Sequence, residues 1–131
     1  MRHNPGFVQL VHEVRKNIRE CSVETLKNRL AQSSSVIVLD VREDHEVQRG
    51  MIPGSIHLGR GILERDIETK IPDKQTEIIL YCGGGYRSAL AAENLQKMGY
   101  RNVWSLDGGI KAWTAAGYPL SAEELRSTKN R

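Results

Sequence analysis

Phe7, Leu10, Val11, Val14 and Ile18 recur three or four positions apart, with His12, Glu13, Arg15 and Lys16 between them. Apolar positions at that spacing line one side of a helix, so the pattern predicts an amphipathic helix near the N-terminus. A second helical pattern runs from Val23 to Ala31, with Glu24 in its first turn and Ser33, Ser34 and Ser35 ending it. The rhythm then changes. VIVLD, Val36 to Asp40, is a short β-branched run bounded by turn residues, as a parallel strand buried on both faces should be. EIILY (Glu77 to Tyr81) and NVWSL (Asn102 to Leu106) repeat it, and Ser55 to Leu58 predicts a briefer strand. Between these lie a polar segment, Arg42 to Arg49, read as a short helix stopped by Gly50 and Pro53-Gly54, and a helix from Ile62 to Ile71 ended by Pro72. A strong helix former from Ser88 to Met98 closes at Gly99. The last helix, Ile110 to Ala116, follows Gly108-Gly109 and stops at Gly117. Ser121 to Arg131 is a polar tail.

Strands alternating with helices predict an α/β fold, a central parallel sheet with helices on both faces. Functional groups in such sheets gather at the carboxyl ends of the strands, and Asp40, Cys82 and Asp107 fall there. The 131 residues suit one domain, with no repeat or linker. The expected division is an N-terminal helix over 1–20, the domain over 21–120 and the tail over 121–131.

Composition narrows the function classes. Hydrophobic residues at 39% and charged ones at 27% match a water-soluble domain. No apolar run approaches the roughly 20 residues needed to span a bilayer, and MRHNPGFVQLVHEV has no secretory apolar core. Two cysteines allow one disulfide, which a chain with its own core does not need, so a reducing, cytoplasmic setting is expected. The net charge of +3 comes from 19 basic residues scattered among 16 acidic ones. That distribution favours a small anionic substrate mildly and gives no reason to expect nucleic acid. His3, His12, His45 and His57 have no ligand spacing with the cysteines, so neither a metal nor a cofactor is expected.

The chemistry concentrates in YCGGGYRSA, Tyr81 to Ala89, where a cysteine leaves a buried strand and enters a glycine loop before a helix. A dinucleotide-binding turn is a weak reading: Gly83 and Gly85 fit G-x-G-x-x-G, but Ser88 stands where the third glycine belongs. A plain buried thiol is the reading for Cys21. It suits Cys82 less well, because a helix N-terminus, a run of backbone amides and Arg87 all favour a negatively charged sulfur. A cysteine phosphatase loop has five residues between Cys and Arg. Here Gly83, Gly84, Gly85 and Tyr86 make four, a smaller ring suited to a single sulfur atom.

Three stretches together resemble the rhodanese family, single-domain type, over about Cys21 to Leu120. They are DVREDHEVQRGMIPGSIHL from Asp40 to Leu58, the loop C-x-x-G-x-R-S at Cys82, Gly85, Arg87 and Ser88, and DGGIKAWTAAGYPL from Asp107 to Leu120. The resemblance implies a rhodanese-like sheet of about five short strands and a sulfurtransferase that works through a persulfide on Cys82. Gly83, Gly84, Gly85, Tyr86 and Arg87 would bind the substrate, Arg87 by tightening the loop or by adding charge. Arg60 would guide an anion from outside the loop, and Asp40, Arg42 and Ser88 would support it, the first two as an ion pair. The implied partners are a small sulfur donor and a thiol acceptor, a protein persulfide among them. Family members noted for thiosulfate often carry a basic residue inside the loop, and this chain has none between Cys82 and Arg87. A phosphatase-like or arsenate-handling enzyme and a non-catalytic rhodanese binding module are the alternatives. Trp113 reads as core, Ile52-Pro53-Gly54 as a turn and His57 as solvated or hydrogen-bonded.

Overall fold

The computed structural model describes residues 3–32 and 35–121. Its strands are β1 (Arg19–Cys21), β2 (Ile37–Asp40), β3 (Ile56–His57), β4 (Ile78–Tyr81) and β5 (Val103–Leu106). They form one sheet in the order β1-β5-β4-β2-β3, with every pairing parallel. The helices are α1 (Pro5–Arg15), α2 (Val23–Gln32), α3 (Asp44–Val47), α4 (Leu63–Lys70), α5 (Tyr86–Lys97) and α6 (Gly109–Ala115).

The apolar runs become central strands because both their faces are covered. In β4, Ile78 and Leu80 join Leu63 and Ile67 of α4 and Ala91, Ala92 and Leu95 of α5 in one cluster. Ile79 and Tyr81, alternating with them, join Leu26 of α2 and Ile110 and Trp113 of α6 in another. A third, smaller cluster seats Val11 and Val14 of α1 on Ala89 of α5.

β1 has no counterpart among the strands expected from sequence. Arg19, Glu20 and Cys21 carry no apolar run, because β1 is an edge strand paired only with β5. The boundary expected between residues 20 and 21 falls inside it. Helix α5 starts at Tyr86 rather than Ser88, so Tyr86 and Arg87 belong to its first turn. Ser33, Ser34 and the polar tail beyond Ser121 lie outside the described residues. The strand ends are level where it matters: Asp40 is the register partner of Tyr81, and the Val41 amide donates to the Tyr81 carbonyl at 3.0 Å. Cys82 therefore leaves the middle of the sheet flanked by the segments that follow β2 and β5.

Candidate active site

Cys82 is the first residue beyond β4 and is 1% exposed. Two amides converge on its sulfur, Gly85 N at 3.2 Å and Ser88 N at 3.3 Å. The Ser88 hydroxyl lies 3.6 Å from the same sulfur and 2.8 Å from the hydroxyl of Ser105 on β5. Donors arranged this way stabilise negative charge on sulfur, and they belong to the N-terminal turn of α5, where the peptide dipoles add to the effect.

The loop bends through Gly85, the N-cap of α5, at φ 96°. A side chain there would meet the Gly108 amide at 3.1 Å as well as adopting an unfavourable backbone angle. The outer side of the loop is held by α6: the Ile110 and Lys111 amides donate to the Cys82 and Gly83 carbonyls at 2.9 and 3.1 Å. This approach needs Gly109, whose missing Cβ would sit 2.5 Å from the Cys82 carbonyl oxygen. The Gly-Gly pair before the last helix is thus a seat for the active loop.

Arg87 does not turn inward on the loop carbonyls. Its two terminal nitrogens donate to the two carboxylate oxygens of Glu46 on α3, at 2.8 and 3.0 Å. These bonds are the largest cause of a Glu46 carboxyl pKa lowered to about 2, and they raise the Arg87 pKa in turn. Asp40 and Arg42 form the expected ion pair, buried, with Arg42 Nη2 at 2.7 Å from Asp40 Oδ2. Burial alone would lower the Arg42 pKa, but the hydrogen bonds and charge of Asp40 outweigh it and the net shift is upward. Arg42 also donates to the carbonyls of Glu46 (3.3 Å) and Gly50 (2.6 Å), so the pair fixes both ends of the segment carrying α3. Glu46 was not among the residues expected at the site. Its only sequence signal is the E-x-x-E spacing with Glu43, whose amide it accepts at 2.9 Å.

The remaining expected residues are distributed more widely. The Tyr86 ring packs on α1, with its centroid 5.5 Å from that of Phe7 and the Arg15 guanidinium 5.0 Å above it. Arg15 Nη2 in turn lies 3.7 Å from the Cβ position of Gly85. Arg60 pairs with Glu64 on its own side of the fold at 2.7 Å, and Glu64 also accepts from Asn94 of α5. His57 donates through Nε2 to the Arg42 carbonyl at 2.7 Å and lines a groove of about 550 Å³ with Glu43, Asp44 and His45. Cys21 is half-buried at the end of β1, and burial raises its thiol pKa to about 11. Trp113 is buried, with its indole N–H on the Pro119 carbonyl at 2.8 Å. Among the described residues no group of three or more His, Cys, Asp or Glu could hold a metal ion. Among them, too, no helix is long and apolar enough to cross a membrane.

A family model for the rhodanese-like domain matches residues 22–116. The chain belongs to that family. A sulfurtransferase of Allochromatium vinosum is 36% identical over 107 residues, covering 82% of this chain and 98% of its own length. Among solved structures, a Rhodopseudomonas palustris protein of unknown function put forward as a tyrosine phosphatase superposes with a TM-score of 0.76. It is 29% identical, with 92% of this chain and 98% of that one covered. A thiosulfate sulfurtransferase of Pseudomonas aeruginosa gives a TM-score of 0.79 at 29% identity, covering 89% of this chain but 22% of the other. The matched region holds β2 to β5, with β1 just before it, and the chain's family is one of sulfurtransferases. Helix α1, which packs on α5, precedes the matched region.

Proposed function

We propose that this rhodanese moves one sulfane sulfur atom from a donor to a thiol or cyanide acceptor through a persulfide on Cys82. The Cys82 thiolate attacks the outer sulfur of the donor, and the donor's S–S bond breaks. Thiosulfate leaves as sulfite, which takes the bonding electron pair. A persulfide donor releases its inner sulfur as a thiolate, which takes the bonding electron pair and then the proton from the transferred sulfur to become a thiol. The acceptor thiolate then attacks the outer sulfur on Cys82 and regenerates the enzyme thiolate. Two easier displacements replace one difficult exchange.

The observation that carries the reading is the convergence of the Gly85 and Ser88 amides on the Cys82 sulfur. Such donors hold an anionic sulfur in the low-dielectric setting of a buried loop, where fixed dipoles act more strongly than in water. Burial also shields the persulfide from oxidation, and a reducing, cytoplasmic setting suits the same chemistry. A phosphatase reading is less well supported, since four residues rather than five separate Cys82 from Arg87 and that arginine is already occupied by Glu46. Glu64 occupies Arg60, leaving anion guidance by Arg60 as a secondary element.

The test is the mass of the protein after incubation with thiosulfate and, separately, with a small-thiol persulfide. Cys82 gains one sulfur atom, Cys82→Ser gains none, and Cys21→Ser gains it as the parent does. Equal loss in the two variants would assign the nucleophile wrongly.

A further inference from the structure

Arg87 is the sole basic residue of the Tyr81–Ala89 loop, yet both of its terminal nitrogens are bonded to Glu46. The carboxylate is itself held in place. Glu46 Oε1 accepts from the Glu43 amide as well as from Arg87, and the Glu46 carbonyl accepts from buried Arg42, which is anchored on Asp40 at the end of β2. Glu46 is therefore held by its own segment as well as by Arg87: its carbonyl by buried Arg42 and its carboxylate by the Glu43 amide. Arg87 Nη2 also lies 3.4 Å from the Cβ position of Gly83, so the guanidinium stands beside the loop while Glu46 holds its charge.

We propose that Glu46 is a positioning residue that sets donor selectivity. By pairing with Arg87 and holding it against α3, it leaves the sulfur lined by the Gly85 and Ser88 amides and the Ser88 hydroxyl, with no unpaired cation from the loop itself. A ring of amides suits one delocalised charge, whereas a doubly charged donor calls for a cation beside it. The site so arranged favours persulfides, uncharged or singly charged at the reacting group, over thiosulfate, which carries two charges. This rests on the sulfur-transfer reading and names the donor class within it.

The test is the rate of sulfur loading on Cys82, followed by mass over a range of donor concentrations, with thiosulfate and with a small-thiol persulfide. Glu46→Gln keeps the side-chain shape and removes the charge. In that variant half-saturation by thiosulfate falls about five-fold, the scale expected for freeing a partly exposed cation, and that by the persulfide moves by less than about two-fold. The gain shrinks at high salt. The double variant Glu46→Gln/Arg87→Gln, neutral at both positions, returns the donor ratio to that of the parent. Equal changes for both donors in Glu46→Gln would overturn the proposal. A selective loss of thiosulfate in the double variant would also overturn it, by making Arg87 the thiosulfate ligand, and this second comparison decides the matter even if the single variant does not fold. Failure of either donor to load Cys82 in the parent would be a different result, and would remove the sulfur-transfer reading itself.

Discussion

At the residue scale the site depends on atoms that are missing as much as on those present. Gly109 sits at φ 59°, and an added Cβ would lie 2.5 Å from the Cys82 carbonyl oxygen and 2.6 Å from that of Gly83. Neither neighbour is the end of a flexible side chain. Both are backbone of the active loop, itself fixed by amides from α5 and α6. Gly109→Ala should therefore cost about 1–3 kcal/mol for the left-handed angle alone, and more for the displaced loop. Urea unfolding measures the loss, and sulfur loading of the folded fraction should be slower as well. An alanine variant with unchanged stability would mean that α6 can withdraw without consequence. The Gly-Gly pair is visible in the sequence as a turn, but its role is not, because Cys82 stands 27 positions earlier in the chain. Cys82 was legible for the opposite reason: its sulfur-holding amides lie within the next six residues.

At the element scale α3 is too short to be stable by itself. Four residues form barely one turn, and an isolated turn of that length does not persist in water. It is held by Arg42 from within and by the Glu43–Glu46 capping box at its start. The Arg87 bonds then tie it to α5. The Glu46 carboxyl, with its pKa lowered to about 2 first by those bonds, has a testable signature in acid. The unfolded chain binds the proton more readily than the folded one. The pair's contribution to stability is thus complete above the ordinary value of 4.5 and is lost as pH falls towards about 2. The stability difference between the parent and Glu46→Gln should stay level from neutral pH to about 5 and then narrow on further acidification. Widening in acid would show that the carboxyl is not held ionised. The sequence predicts a short polar helix at this place but does not mark Glu46, since its partner is 41 residues away and a charged residue in a polar segment looks solvated. The same limit hid β1, whose strand character comes from pairing with β5 rather than from its own three side chains. The central strands were legible because burial on both faces forces an apolar run that no partner needs to supply.

At the scale of the whole molecule the sheet brings the parts of the site to the carboxyl ends of its strands, and α1 packs on the helix that supplies the amides to the sulfur. Val11 and Val14 are 1% and 5% exposed, and both pack on Ala89, the residue after the Ser88 whose amide reaches the sulfur. Val14→Ala should lower stability by about 2 kcal/mol, the transfer energy of two methyl groups with a small cavity added. A comparison variant, Val38→Ala in β2, removes the same atoms from the cluster on the other face of the sheet, where the partners are α2 and α6. Its cost in stability should be similar. The two should differ in function. Loosening the first turn of α5 misaligns a donor aimed at the sulfur, and complete removal of such a donor costs on the order of 10²-fold in rate. A partial loosening in Val14→Ala should slow sulfur loading several-fold in the folded protein, while Val38→Ala at matched stability loads faster than Val14→Ala. Equal loading rates in the two variants would mean that the loop holds its own geometry and that α1 contributes only to stability.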